Sequence, residues 1–209
     1  VRYYPVFVKV DGRRAVVVGG GKVAERKAVT LIRAGARVDL ISPTITENLQ
    51  RYRDRGLLRH IKRRFRKGDL KDAFVVIAAT SSRDINTRVE REAQERGCLI
   101  NVVDTPSEGN FIAPSIVRRG SLLIAISTEG HSPGLSKAIR KELESLYDGE
   151  FSRYLRFAGR IRRQILKETK DRKTRERLLR FLSSDEVFRA LRDKGFTEAT
   201  RMVLDYISS

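Results

Sequence analysis

The stretch Ala15–Pro43, AVVVGGGKVAERKAVTLIRAGARVDLISP, constrains this chain more than any other. An apolar run, Ala15–Val18, enters Gly19-Gly20-Gly21. Lys22-Val23-Ala24 then open a segment in which Val23, Ala24, Ala28, Leu31 and Ile32 recur at helical spacing. Gly35 supplies a C-terminal stop, and Val38–Ile41 reads as a second strand. A strand, a glycine turn, a helix and a strand make one βαβ unit. G-x-G-x-x-A at its first turn predicts a dinucleotide site. Gly19 permits the tight turn, Gly21 lets backbone approach a pyrophosphate, and Ala24 lets helix pack on strand. The free N–H groups at the helix start, with the helix dipole behind them, favour phosphate charge.

The second strand ends in Ser42-Pro43, where an acidic residue would normally hold the ribose hydroxyls. Asp39 lies in mid-strand, away from the tip. The ribose therefore falls to the Ser42 hydroxyl or to the backbone of Pro43 and Thr44. No arginine sits directly at the strand tip to grip a 2′-phosphate, so the expected cofactor is NAD rather than NADP.

The rest of the chain extends this pattern. Val6–Val10 and Arg14–Val18 flank Asp11-Gly12, a hairpin-like signal. Thr44-Ile45-Thr46-Glu47 reads as a capping box that starts a helix to about Arg55. Leu58–Phe65 is a possible strand, and the continuous apolar run Ala73–Ala79 fits one buried on both faces of a parallel sheet. A helix over Arg83–Arg96 and a strand over Leu99–Val103 follow. The alternation predicts an α/β class: a Rossmann-like, doubly wound parallel sheet. Its site should lie at the strand C-terminal ends, where Gly19–Val23, Ser42–Thr44, Thr80–Ser82 and Asp104–Pro106 converge. After Pro114 comes one more strand, Ser121–Ser127, and a helix opening at Ser132-Pro133-Gly134 and running to about Tyr147. From Phe151 the pattern is all helical: Phe151–Lys170, Lys173–Leu182, Asp185–Lys194 and Thr197–Ile207.

The formal charge of +18 is not a basic tail. Residues 1–113 hold 23 Lys+Arg against 13 Asp+Glu, and residues 114–209 hold 21 against 13. Three readings compete: a solvated face, attraction of a polyanionic small molecule, and nucleic acid. Aromatic residues are not interleaved with the basic runs, which ranks nucleic acid last and argues against it as a partner. No apolar run approaches the roughly 18 residues a membrane helix needs, and no signal-peptide pattern opens the chain. The single cysteine, Cys98, excludes a disulfide framework, and Cys98, His60 and His131 show no metal-ligand spacing. The expectation is a cytoplasmic protein without a resident metal or a membrane partner.

GGGKVAERKA, ATSSRDINTRV and NVVDTPSEGNFIAPSIVRRGSLLIAISTEGHSPGLSKAIRKELE together resemble the precorrin-2 dehydrogenase family, the dehydrogenase module of siroheme synthases. The resemblance covers residues 2 to about 170, with four separated blocks in order, and points to the stand-alone dehydrogenase form. It implies NAD-dependent oxidation of precorrin-2 to sirohydrochlorin. Some members also insert ferrous iron, which stays open here. It also implies three regions: a Rossmann domain (1–113), a dimerisation segment (114–149) and a small all-helical C-terminal domain (150–209). Family dimers bury the active site between protomers, so a homodimer is expected.

Asp104, in NVVDTP, matches the family's proposed catalytic aspartate, and a carboxylate there can take the proton released as a hydride leaves. Its bland alternative is a cap on the turn before Thr105-Pro106. Thr80 joins the cofactor-binding set. Arg118, Arg119 and Lys137 are candidates for the substrate carboxylates, and His131 for a second acid or base. A competing class is an NAD-sensing regulator with a Rossmann domain and a helical binding tail, but it leaves NVVDTP and HSPGLS unexplained.

Overall fold

The computed structural model describes residues 3–103 and 105–208. It divides into two compact units, Val1–Ala113 and Pro114–Ser209. The first unit is a five-stranded parallel sheet in the order β3-β2-β1-β4-β5. Its strands are β1 (Arg14–Val18), β2 (Arg37–Ile41), β3 (Leu58–Ile61), β4 (Val75–Ala78) and β5 (Leu99–Val102). The helices are α1 (Lys22–Arg33), α2 (Glu47–Asp54) and α3 (Arg83–Glu95).

The strand periodicity divides the core in two. Ala15, Val17, Val38, Leu40, Val75 and Ile77 pack with Ala24 and Ala28 of α1 and Leu49 of α2. Val16, Val18, Val76, Ala78, Ile100 and Val102 pack on the opposite face with Val89 and Ala93 of α3. Both faces of β1 and β4 are covered, which is why these strands read as unbroken apolar runs. The β3–β4 connection carries no helix; its buried Phe65 and Leu70 complete the α3 face.

Three local expectations need correction. No hairpin precedes β1: β2 and β4 occupy both of its edges, so no edge is left for Val6–Val10. The Asp11-Gly12 turn instead docks on the α1–β2 corner, with the Gly12 N–H donating to Gly35 O at 2.9 Å. The α2 cap is Thr46, whose side chain accepts from the Leu49 N–H, two residues later than the capping-box reading. β3 ends at Ile61 rather than Phe65.

In the second unit, β6 (Ser115–Arg119) and β7 (Leu122–Ile126) form an antiparallel hairpin that does not join the parallel sheet. Sequence reading missed β6. Helix α4 (Pro133–Leu146) starts at the predicted Ser132 cap and packs on this hairpin. Three helices follow: α5 (Gly149–Glu168), α6 (Arg172–Phe181) and α7 (Asp185–Ser208). Non-helical Gly195 (φ 82°) divides α7 near the predicted break. Their core holds Phe151, Tyr154, Phe157, Leu182, Leu191 and Val203. The Tyr154 hydroxyl donates to Leu182 O at 2.6 Å, and burial pushes its pKa up to about 12. Among the described residues, no helix is long and apolar enough to cross a membrane.

Candidate dinucleotide site

The parallel strands deliver four loops to one edge of the sheet, and each loop is fixed by identifiable contacts. Gly19 has φ 125°, and a Cβ there would lie 2.2 Å from Ala79 O, so the turn can pass the β4 tip only as glycine. A Cβ on Gly20 would lie 1.9 Å from Thr44 O and 2.7 Å from Ser42 Oγ. Sequence reading gave Gly20 no task, yet it is where the glycine turn meets the β2–α2 loop. A Cβ on Gly21 would meet nothing within 4 Å. Gly21 is exposed, caps α1 in an extended conformation, and offers no side-chain bond to the first-turn N–H groups. Lys22 and Val23 are exposed beside it, while Ala24 is buried against the sheet. Open space above Gly21, facing an uncapped helix start, fits a pyrophosphate.

Glu25, in the first turn of α1, ties this turn to its neighbour. Its carboxylate accepts from the Thr46 hydroxyl and from Asn48 Nδ2 (3.2 Å), with Lys22 Nζ at 3.7 Å. The Thr46 hydrogen bond leads in holding the Glu25 pKa below the usual carboxylate value. The Thr46 N–H also donates to Gly20 O at 3.2 Å.

At the β2 tip, Ser42 is buried beneath the glycine turn, while Pro43 and Thr44 are exposed. His60 braces this tip from β3, its Nε2 donating to Ser42 O at 2.8 Å. That contact makes His60 half-buried, where the sequence suggested a surface residue. Asp39 faces away from the tip. Burial alone would raise its pKa, but hydrogen bonds from Arg59 (2.8 and 2.6 Å) and Arg14 (2.8 Å) hold it low. Arg63 makes a similar two-point contact with Asp69 (2.8 and 2.6 Å). Two arginines of the densest basic run therefore serve the fold.

The β4 tip is locked by Asn86, a residue sequence reading missed. Its Oδ1 accepts from the Thr80 N–H (3.2 Å) and hydroxyl (2.8 Å), and its Nδ2 donates to Thr80 O (3.0 Å). Ser82 caps α3 by accepting from the Ile85 N–H. At the β5 tip, the Val103 N–H donates to Ala78 O at 2.9 Å. Asp104 lies outside the described residues. Beyond it, the Glu108 N–H closes a turn on Thr105 O at 3.0 Å. The chain then returns along β5, where Asn110 bonds the Ile100 N–H and Cys98 O, both at 2.8 Å. The Cys98 thiol is buried against Ala73 O, and burial pushes its pKa up.

The remaining candidates lie in the second unit. Arg118 and Arg119 are adjacent on β6; Arg118 is exposed, and Arg119 reaches Glu144 O on α4 at 3.2 Å. Lys137 is exposed on α4. His131 is exposed in the loop before α4, its Nδ1 at 2.9 Å from Thr128 O. Since a carbonyl only accepts, Nδ1 carries a proton in this contact.

A parallel sheet with glycine turn, uncapped helix and ribose-side loop at its C-terminal edge defines a dinucleotide-binding α/β protein. Residues 6–115 match the family described as putative NAD(P)-binding, and the chain belongs to it. Residues 119–146 match the sirohaem biosynthesis protein central family.

Among curated relatives, siroheme synthase 2 of Aeromonas hydrophila is 38% identical over 174 residues, covering 82% of this chain and 37% of that protein. The siroheme synthase of Nitrosococcus oceani is 39% identical over 165 residues, covering 79% and 35%. The chain thus spans about a third of the length of these relatives. A solved structure described as SirC, precorrin-2 dehydrogenase, superposes with a TM-score of 0.81 at 28% identity, covering 98% of this chain and 100% of that one.

Proposed function

We propose that this protein is an NAD-dependent dehydrogenase that oxidises precorrin-2 to sirohydrochlorin. The observation that carries this reading is a dinucleotide turn in a chain that matches, over nearly all of both lengths, a structure described as a precorrin-2 dehydrogenase. NVVDTP and HSPGLS, which the regulator reading left unexplained, fall inside the two matched family regions.

The oxidation removes one hydrogen from the macrocycle as hydride and a second as a proton. NAD, when bound, supplies the hydride acceptor. Gly21, Lys22 and Val23 offer backbone N–H groups to its pyrophosphate, with Gly19 and Ala24 shaping the turn. Ser42, Pro43 and Thr44 form the ribose side, and Thr80 the β4 side. Glu25, Thr46, His60 and Asn86 hold these loops in register. Asp104 takes the proton as general base. Arg118, Arg119 and Lys137 bind substrate carboxylates, and the exposed His131 is the second proton-handling group.

The reading includes a cytoplasmic homodimer formed through residues 114–149. The exposed apolar residues Ile116, Leu135 and Leu146 of that segment support it. Anaerobic turnover of precorrin-2 with NAD tests the reaction, and light scattering of the intact chain tests the dimer. A monomer at micromolar concentration would remove the dimer from the account.

A further inference from the structure

The basic charge is not spread evenly over the helical unit. Arg153, Arg156, Arg160 and Arg163 recur along one face of α5 and line a cavity of about 610 Å³. Ser121, Leu155, Gly159 and Phe196 complete the lining. Arg153 is engaged: it pairs with Glu150 at 2.8 Å and lies 4.3 Å over the Phe196 ring. Arg156 donates to the neutral Ser152 hydroxyl at 2.8 Å. Among the described residues, Arg156, Arg160 and Arg163 have no carboxylate within salt-bridge distance. Three uncompensated guanidiniums therefore surround a concavity with a partly apolar floor.

We propose that this groove is a docking site for a polycarboxylated tetrapyrrole, a ligand class that rests on the function proposed above. Arg156, Arg160 and Arg163 span about 10 Å of helix at intervals near one turn. A fitting ligand carries several anions at that spacing around a flat apolar body. Arginine forks bind carboxylates bidentately, while the exposed Leu155 side chain meets the ring. Gly159 makes the space: a Cβ there would meet only Arg163 Nη1, at 3.9 Å. Nucleic acid fits less well, because the arginines line a short open groove with a single aromatic residue rather than an extended basic track with interleaved aromatics.

The test is a fluorescence titration of the intact chain with uroporphyrin III, a planar octacarboxylate, at physiological salt. Three variants are compared: R156E/R160E/R163E, G159L and, as a control on α5 outside the groove, R162E. G159L keeps every charge, suits a helix better than glycine, and fills the hollow. Melting curves and NAD affinity report folding.

The groove predicts that the triple variant and G159L each bind about tenfold more weakly or worse, with R162E near wild type. Tight binding of uroporphyrin marks a site for the oxidised product. Binding of its reduced form, uroporphyrinogen, alone marks a site for the substrate. Equal weakening in all three variants, or in none, overturns the groove. So does a short oligonucleotide that binds this face more tightly than uroporphyrin. Wild type that oxidises precorrin-2 without binding either tetrapyrrole probe also overturns the groove and leaves the reaction standing. Groove-dependent binding without precorrin-2 turnover keeps the site and removes the proposed reaction.

Discussion

Gly20→Ala and Gly21→Ala differ by one position and should fail for different reasons. The Gly20 methyl would start 1.9 Å from Thr44 O and 2.7 Å from Ser42 Oγ. Reaching ordinary contact distance requires the β2–α2 loop to retreat by more than ~1 Å, an overpacking cost of about 1–3 kcal/mol. The same retreat stretches the bond from the Thr46 N–H to Gly20 O, now 3.2 Å, and losing it adds about 1 kcal/mol. A total of roughly 2–4 kcal/mol lowers the melting temperature of a domain this size by about 10–20 °C. The Gly21 methyl meets nothing within 4 Å, and φ −81° is ordinary for alanine. Gly21→Ala should therefore melt like wild type or slightly higher, yet bind NAD about tenfold more weakly. Scanning calorimetry and isothermal titration with NAD separate the two. A Gly20→Ala protein as stable as wild type, or a destabilised Gly21→Ala protein, refutes the division into structural and ligand-facing glycines.

Asn86→Ala leaves the Thr80 N–H and C=O without their partner and should cost about 2–3 kcal/mol by urea unfolding, with weaker NAD binding. Asp39→Asn should cost about 1–2 kcal/mol at neutral pH, because Asp39 is buried but its Arg59 partner is largely exposed and screened. Because the folded-state pKa of Asp39 is depressed, that contribution is present above the unfolded carboxylate pKa and fades as pH falls through the folded value. Wild type and Asp39→Asn should therefore begin to converge only as pH drops below the unfolded carboxylate pKa of about 4, and should meet only at still lower pH, in acid-titrated melts. NADP should bind about tenfold more weakly than NAD in the same calorimeter, since Pro43 and Thr44 offer no guanidinium to a 2′-phosphate.

What the sequence made legible was local and periodic. The apolar run through β1, the glycine turn and the helical spacing of α1 lie within one βαβ unit, where neighbours in sequence are neighbours in space. The Ser132 cap with Pro133, and the break at Gly195, were legible for the same reason. The misses are long-range. Gly20 is indispensable because of Thr44 and Ser42, and His60 matters because it reaches the β2 tip from β3. Neither contact leaves a periodic trace. Asp11-Gly12 is a true turn, but which edge β1 offers is decided by β2 and β4. β6 was hidden because SIVRR has few apolar residues and ends in charge; its pairing with β7 makes it a strand.

The most direct test of the account is turnover of precorrin-2 with NAD under anaerobic conditions, comparing wild type with Asp104→Asn. Formation of sirohydrochlorin and NADH is followed by absorbance, and NAD affinity is measured alongside. The account predicts one NADH per sirohydrochlorin for wild type. It predicts a turnover loss of roughly 10²–10⁴ for Asp104→Asn with NAD affinity unchanged, since the variant keeps shape and removes basicity. Near-normal turnover in Asp104→Asn would contradict the assignment of the base. Absence of NAD-dependent oxidation in wild type would contradict the function itself.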